Sequence, residues 1–179
     1  MDPTEGADME AVRDLLMAHG ADRIAHPGGT LLAHLERVGE VLGEWGARPA
    51  LRVAGQAHAF YGTDGFAESL MPVDRRDRLR TVIGAEAEEL VYFYASCDRG
   101  VTYPTLDRDQ VGFRDRFTGE TFQPAQRQLR DFAELTAANE LDLIRASTVF
   151  RAAHGAAIIA FLKRLDRWLT PAARAARDL

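Results

Sequence analysis

The chain has 179 residues, 46% hydrophobic and 27% charged, which suits one domain (1–179) with a core that needs no disulfide or structural metal to close it. Its 22 basic and 27 acidic residues give a formal charge of −5 without any basic block, which argues against a nucleic-acid partner. The lone Cys97 excludes an internal disulfide, and no apolar run approaches the ~20 residues that span a bilayer, so a cytoplasmic protein with no membrane partner is expected.

Taken in chain order, Val12, Leu15, Leu16 and His19 recur at helical spacing from Met9 to His19, and Gly20 is a stop. His26-Pro-Gly-Gly is turn material, and Thr30 is placed to cap a helix in which Leu31, Leu35, Val38, Leu42 and Trp45 form one apolar stripe up to Gly46. Pro49 suits a first helical position, and Leu51, Ala54, His58 and Tyr61 share a face before Gly62-Thr-Asp-Gly65 breaks it. Asp74 is expected to cap a helix through Ile83 whose Asp74–Arg78 run faces solvent, and Ala85 to Ser96 forms the next.

From Gly100 to Pro124 the pattern changes. Val111, Phe113, Phe117 and Phe122 alternate with charges around Thr118-Gly119, as a small hairpin or a long ordered loop would. Ala125 to Ser147 carries the stripe Leu129, Phe132, Thr136, Asn139, Leu143, and Val149 to Leu169 reads as a last, more apolar helix. The tail 171–179 is expected to fray or add one short turn. The fold class is all-α.

Helical spacing turns His34 and His58 inward, and Asn139 lies on its own core-facing stripe. A buried imidazole or amide without a partner costs about 1–3 kcal/mol, so three of them imply a buried network or a pocket. No phosphate-cradling glycine loop, dinucleotide fingerprint, nucleophile elbow or paired-cysteine zinc motif is present, so no nucleotide cofactor is expected.

The order of His34 on one helix, His58 at the end of the next and Asn139 on a late helix after Thr136-Ala-Ala resembles the HD-domain superfamily of metal-dependent phosphohydrolases and oxygenases, over about Leu31 to Asp142. His26-Pro-Gly-Gly-Thr with His58-Ala-Phe-Tyr-Gly-Thr-Asp resembles a branch of small stand-alone HD-like proteins. The resemblance implies an HD-like helical bundle. Ala59 stands where the superfamily's metal-bridging aspartate follows the second histidine, and Asn139 where its late aspartate falls, so both carboxylates are expected to be missing.

The expected site is a histidine-lined pocket for a small-molecule substrate, gated by the Gly100–Pro124 segment. In the leading reading His26, His34 and His58 hold one transition metal ion (Fe, Zn, Cu or Mn) for oxidative or hydrolytic chemistry, with His26 or Asp64 completing the shell. In the alternative, metal-free acid/base catalysis uses His58 with Asp64 or Glu68 orienting it, and Tyr61 and Asn139 donate to an oxyanion, as an isomerase, lyase or cyclase would. Arg99, Asn139 and Glu68 are the candidate substrate-binding residues. A third reading is a non-catalytic ligand-binding descendant of the HD fold. The sequence admits a homodimer and does not require one.

Overall fold

The computed structural model describes residues 3–66 and 68–178, with residues 3–8 described for their backbone course alone. Helix α1 runs from Pro3 to Ala18, starting earlier than the apolar spacing suggests, and Gly20 at φ +78° ends it. The His26-Pro-Gly-Gly stretch is more ordered than a simple turn. Strands β1 (Ala25–His26) and β2 (Gly29–Thr30) pair antiparallel, His26 opposite Gly29, across Pro27 and Gly28 at φ +81°. Proline followed by a glycine of positive φ is the chemistry of a type II turn.

Thr30 then caps helix α2 (Leu31–Glu44), its hydroxyl accepting from the Ala33 N–H at 3.2 Å. Pro49 opens α3 (Pro49–Ala57), and His58 is its C-cap, so Tyr61 lies in the following turn and not on the helix. Helices α2 and α3 pack at the closest possible range because glycine stands at the crossing from each side. A Cβ on Gly55 would collide with Leu42, and one on Gly39 would lie 3.3 Å from the Arg52 carbonyl oxygen and from Gln56 Cβ. This close approach brings the His34 and His58 rings to 5.5 Å, edge to face.

A short 3-10 turn, Val73–Arg75, precedes α4 (Arg76–Ile83), and no side chain caps that helix, Asp74 included. Helix α5 (Ala85–Ser96) follows, then α6 (Arg99–Thr102), capped by Asp98 accepting from the Val101 N–H. The 100–124 segment contains a hairpin, with β3 (Phe113–Arg114) antiparallel to β4 (Thr121–Phe122) and Phe113 opposite Phe122. Phe113 is fully buried and stacks on Phe93 at 4.2 Å, which anchors the segment to α5.

Helix α7 (Gln126–Ala146) is the central element, burying residues on most of its length between α2, α5 and α8. Helix α8 (Thr148–Arg164) stops short of the expected Leu169, and a 3-10 turn, Asp166–Trp168, leads to α9 (Pro171–Arg177). The tail after Pro171 is therefore helical, capped by Thr170, with Ala173 buried. The core has two parts: one around α1, α3, α4 and α5 centred on Leu16, Phe60 and Leu79, the other around α7 centred on Phe113, Leu135 and Leu162. The architecture is all-α with two two-residue hairpins, and no helix among the described residues is long and apolar enough to cross a membrane.

Candidate functional site

The turn after β1, the start of α2, the end of α3, the start of α6 and the middle of α7 meet at one cavity of about 190 Å³. Its polar lining comes from His26, His58, Thr63, Arg99, Asn139 and Glu140, with Phe150 of α8 on the outer wall.

His34 forms the floor behind this cavity. Its Nδ1 donates to Asp142 Oδ2 at 2.6 Å, and its Nε2 faces Asn139 Oδ1 at 3.0 Å. Both ring nitrogens are thus engaged, one by the Asp142 carboxylate and the other by the Asn139 amide. Arg37, one turn along α2, grips the same carboxylate through Nε at 2.6 Å and Nη2 at 2.9 Å. Desolvation works against the Asp142 charge, but His34 and Arg37 outweigh it and hold the carboxyl below its ordinary range. The expectation that the late helix lacks a carboxylate is corrected here. Asp142, three residues beyond Asn139, sits on the same face of α7 and reaches His34.

His26 stacks on His34 with ring centroids 4.2 Å apart, and its Nδ1 is buried without a partner. Burial, and then the charge of His34, push His26 down to about 4. His58 contacts His34 from the other side and Tyr94 at 5.4 Å. Its Nδ1 donates to the Gly55 carbonyl at 2.7 Å, which fixes the proton there and leaves Nε2 as the lone-pair nitrogen. Burial first, and His34 second, push His58 down to about 3.

Arg99 supplies the cavity's cation. Its backbone N–H donates to Asp64 Oδ2 at 2.8 Å, and its Nη1 lies 3.7 Å from Glu140 Oε1, beyond hydrogen-bond length. Burial opposes the Arg99 charge, yet Tyr94, Tyr103 and Glu140 around it keep the guanidinium above its ordinary value. Burial pushes the Glu140 carboxyl up, with Arg99 only partly offsetting it. Glu140 therefore takes a proton more readily than an ordinary glutamate and can release Arg99 to an incoming anion.

Other residues singled out in the sequence lie elsewhere. Tyr61 is buried, but its hydroxyl donates to Glu88 Oε1 at 3.0 Å in a separate cluster with Arg76 and Arg80. Arg76 is thereby tied to a fully buried carboxylate, where the sequence pattern suggests a solvent-facing charge. Asp64 is exposed and serves the Arg99 backbone, not a histidine; Glu68 is exposed; neither lines the cavity. No described residue from 100 to 124 lines it either, so the outer wall is Phe150 and not a gate made by that segment. Burial pushes the Cys97 thiol up to about 12, which leaves it unreactive at neutral pH. Sequence reasoning missed Arg37, Tyr94, Tyr103, Glu140 and Asp142. Arg37 and Asp142 follow His34 and Asn139 by one helical turn each, a spacing that could have flagged both.

Residues 15–99 match a family described as a domain of unknown function (DUF6817). That stretch holds His26, His34, His58 and Arg99 and stops before α7. No curated protein and no solved structure matches the chain.

Proposed function

We propose that the cavity is the site of a metabolic enzyme acting on a small anionic molecule, which Arg99 binds and His58 deprotonates or protonates. One observation carries this reading. A histidine with its Nδ1 proton committed to a backbone carbonyl shares the wall of a small cavity with a half-buried arginine whose guanidinium stands 3.7 Å from the Glu140 carboxylate, too far to hydrogen-bond it.

His58 is a weak base, because burial and the neighbouring charges of His34 and Arg99 disfavour its protonation. An anion held at Arg99 cancels part of that charge and raises the proton affinity of Nε2. Basicity would thus appear only with substrate in place. Asn139 lines the same cavity, and its amide, engaged by His34 and Glu140, would have to loosen its long 3.4 Å contact with Glu140 to donate to a substrate.

Titrating acetate and inorganic phosphate into the protein while following the His58 ring resonances by NMR tests binding. Saturable shifts that vanish in Arg99→Gln are expected, and an unperturbed ring overturns the reading. Proton transfer is checked by deuterium exchange next to the carboxylate of bound small acids in heavy water, expected to be lost in His58→Gln.

A dinuclear centre of the HD type does not fit these residues, since Ala59 stands in place of the bridging carboxylate. A single transition-metal ion among His26, His34 and His58 is the second reading. The proximity of the three rings and the orphaned His26 Nδ1 favour it; among the described residues no three such side chains are already set around a common point, so it requires His26 to leave its stack on His34 and His34 to exchange its contact with Asn139 for the metal. Metal content by mass spectrometry on protein purified without chelator, beside His34→Ala and His58→Ala, decides it. The delivery of histidine, histidine and a late polar pair by α2, α3 and α7 to one centre supports an HD-like bundle as the ancestral plan.

A further inference from the structure

Helix α8 has an unusual balance of composition and burial. Its sequence, Thr148 to Arg164, places alanine, isoleucine, phenylalanine or valine on every side, yet only Gly155 and Leu162 are buried and Val149 is 81% exposed. A helix apolar all round is ordinarily covered. On the side turned toward α6 and α7, Tyr103, His154, Ala157, Ile158 and Phe161 line a second cavity of about 370 Å³. That cavity shares two residues, Glu140 and Phe150, with the polar chamber holding His58 and Arg99.

Two tyrosines pack beside His58 and Arg99. The hydroxyls of Tyr94 and Tyr103 are both buried without a hydrogen-bond partner. Tyr94 packs edge-on against His58, and Tyr103 stacks on Phe161 at 4.5 Å with the Arg99 guanidinium 5.6 Å above its ring. The two rings surround the arginine with aromatic surface, which withdraws it from water and strengthens its pairing with an anion.

We propose that the two cavities are one site, and that its substrate is an elongated amphiphile with an anionic head and an unbranched apolar tail. The proposal rests on the reading of the polar chamber as an anion site and adds the tail. The head sits at Arg99 and His58, which line the inner cavity together. The tail passes Phe150 and lies along α8 between Phe161, Ile158 and Ala157. Phe150 is the partition; it is half-buried, packing on the core around α7 from one side and against the exposed His154 ring at 4.6 Å from the other. The arrangement accounts for the small inner chamber, which admits only a head, and for the apolar outer face of α8.

The test is an NMR titration of the intact chain with straight-chain carboxylates from acetate to decanoate, each below its aggregation limit. Affinity is expected to rise about fourfold per methylene added until the second cavity is filled. In Ala157→Trp, a substitution at an exposed position whose fold is checked by circular dichroism, the gain is expected to flatten. Affinity independent of chain length, with binding still abolished in Arg99→Gln, overturns the amphiphile and leaves the anion site standing. A gain undiminished in Ala157→Trp overturns the assigned path of the tail. Failure of every acid to bind overturns the anion site itself and the tail with it.

Discussion

His34 and Asp142, 108 residues apart in the chain, are joined by a 2.6 Å hydrogen bond from Nδ1 to a carboxylate that Arg37 also holds through two nitrogens. The bond ties α2 to α7 and sets the plane of the His34 ring, against which His26 stacks. Asp142→Asn keeps the volume and removes the charge, leaving the almost fully buried His34 facing a group of lower acceptor strength. It is expected to cost about 2–4 kcal/mol in urea denaturation at pH 7. Arg37→Met should cost no more than about 1 kcal/mol, because the Arg37 side chain is 34% exposed and water takes over much of its pairing. Equal costs for the two variants would mean that the ion pair, and not the buried histidine contact, holds the two helices.

Glu88 is a fully buried carboxylate that accepts from Tyr61, from Arg76 twice and from Arg80. Burial raises its proton affinity, and the arginines and the tyrosine more than reverse that, so its folded value lies below the ordinary 4.5. A depressed carboxylate contributes stability that is fully present above the unfolded value and is lost as pH falls through the folded one. Glu88→Gln is therefore expected to cost about 2–3 kcal/mol at pH 7, allowing for the partly exposed arginines. The gap from wild type should hold steady down to about pH 5 and narrow below it. Thermal denaturation of both proteins between pH 7 and pH 3 checks the sign; a gap that widens on acidification contradicts it.

The fold was legible where local chemistry decides it. Thr30 as a cap, Pro49 as a helix opener and Ala85 to Ser96 as a helix follow from side-chain capping, fixed φ and apolar spacing, and each is found as read. The inward turn of His34, His58 and Asn139 was legible for the same reason. Contacts between elements were not. Nothing local says that Arg99 crosses to Glu140, that Tyr61 serves Glu88, or that Arg76 abandons solvent for a buried acid. These depend on how α6 meets α7 and on how α4, α5 and the turn after α3 pack, and single-helix periodicity is blind to it. The extent of α8 was misjudged because apolar composition reads as burial, and here much of that surface stays uncovered.

Gly28 holds the turn that carries His26. Its φ of +81° already disfavours a side chain, and a Cβ there would lie 2.5 Å from Ala146 Cβ and 2.7 Å from the Ala146 carbonyl oxygen, both at the rigid end of α7. Gly28→Ala is expected to lose about 2–3 kcal/mol and to unstack His26 from His34. Gly119, in the β3–β4 turn, provides the control. Its φ is +78°, but a Cβ meets nothing within 4 Å, so Gly119→Ala should cost only about 1 kcal/mol. Chemical denaturation separates steric clash from backbone strain, since equal losses would leave the Ala146 contact without energetic weight.

Gly65 tests the role of Arg99 without touching its charge. The backbone of Gly65 lies outside the left-handed region, so alanine is conformationally acceptable there, but its Cβ would stand 2.5 Å from Arg99 Nη1. The obstructed atom is the far end of a flexible side chain, which can swing aside at little cost. Gly65→Ala is therefore expected to keep stability within about 0.5 kcal/mol of wild type while displacing the guanidinium from the cavity. Affinity for small carboxylates should fall about tenfold or more, since a cation moved by an ångström loses its aligned contacts. Parallel denaturation and NMR titration read the two effects apart. Because Gly65 also lines the cavity, weaker binding with unchanged stability identifies Arg99 as the anchor when Arg99→Gln alone causes the same loss. Full affinity in this variant would place the anion away from Arg99, at His26 and His58.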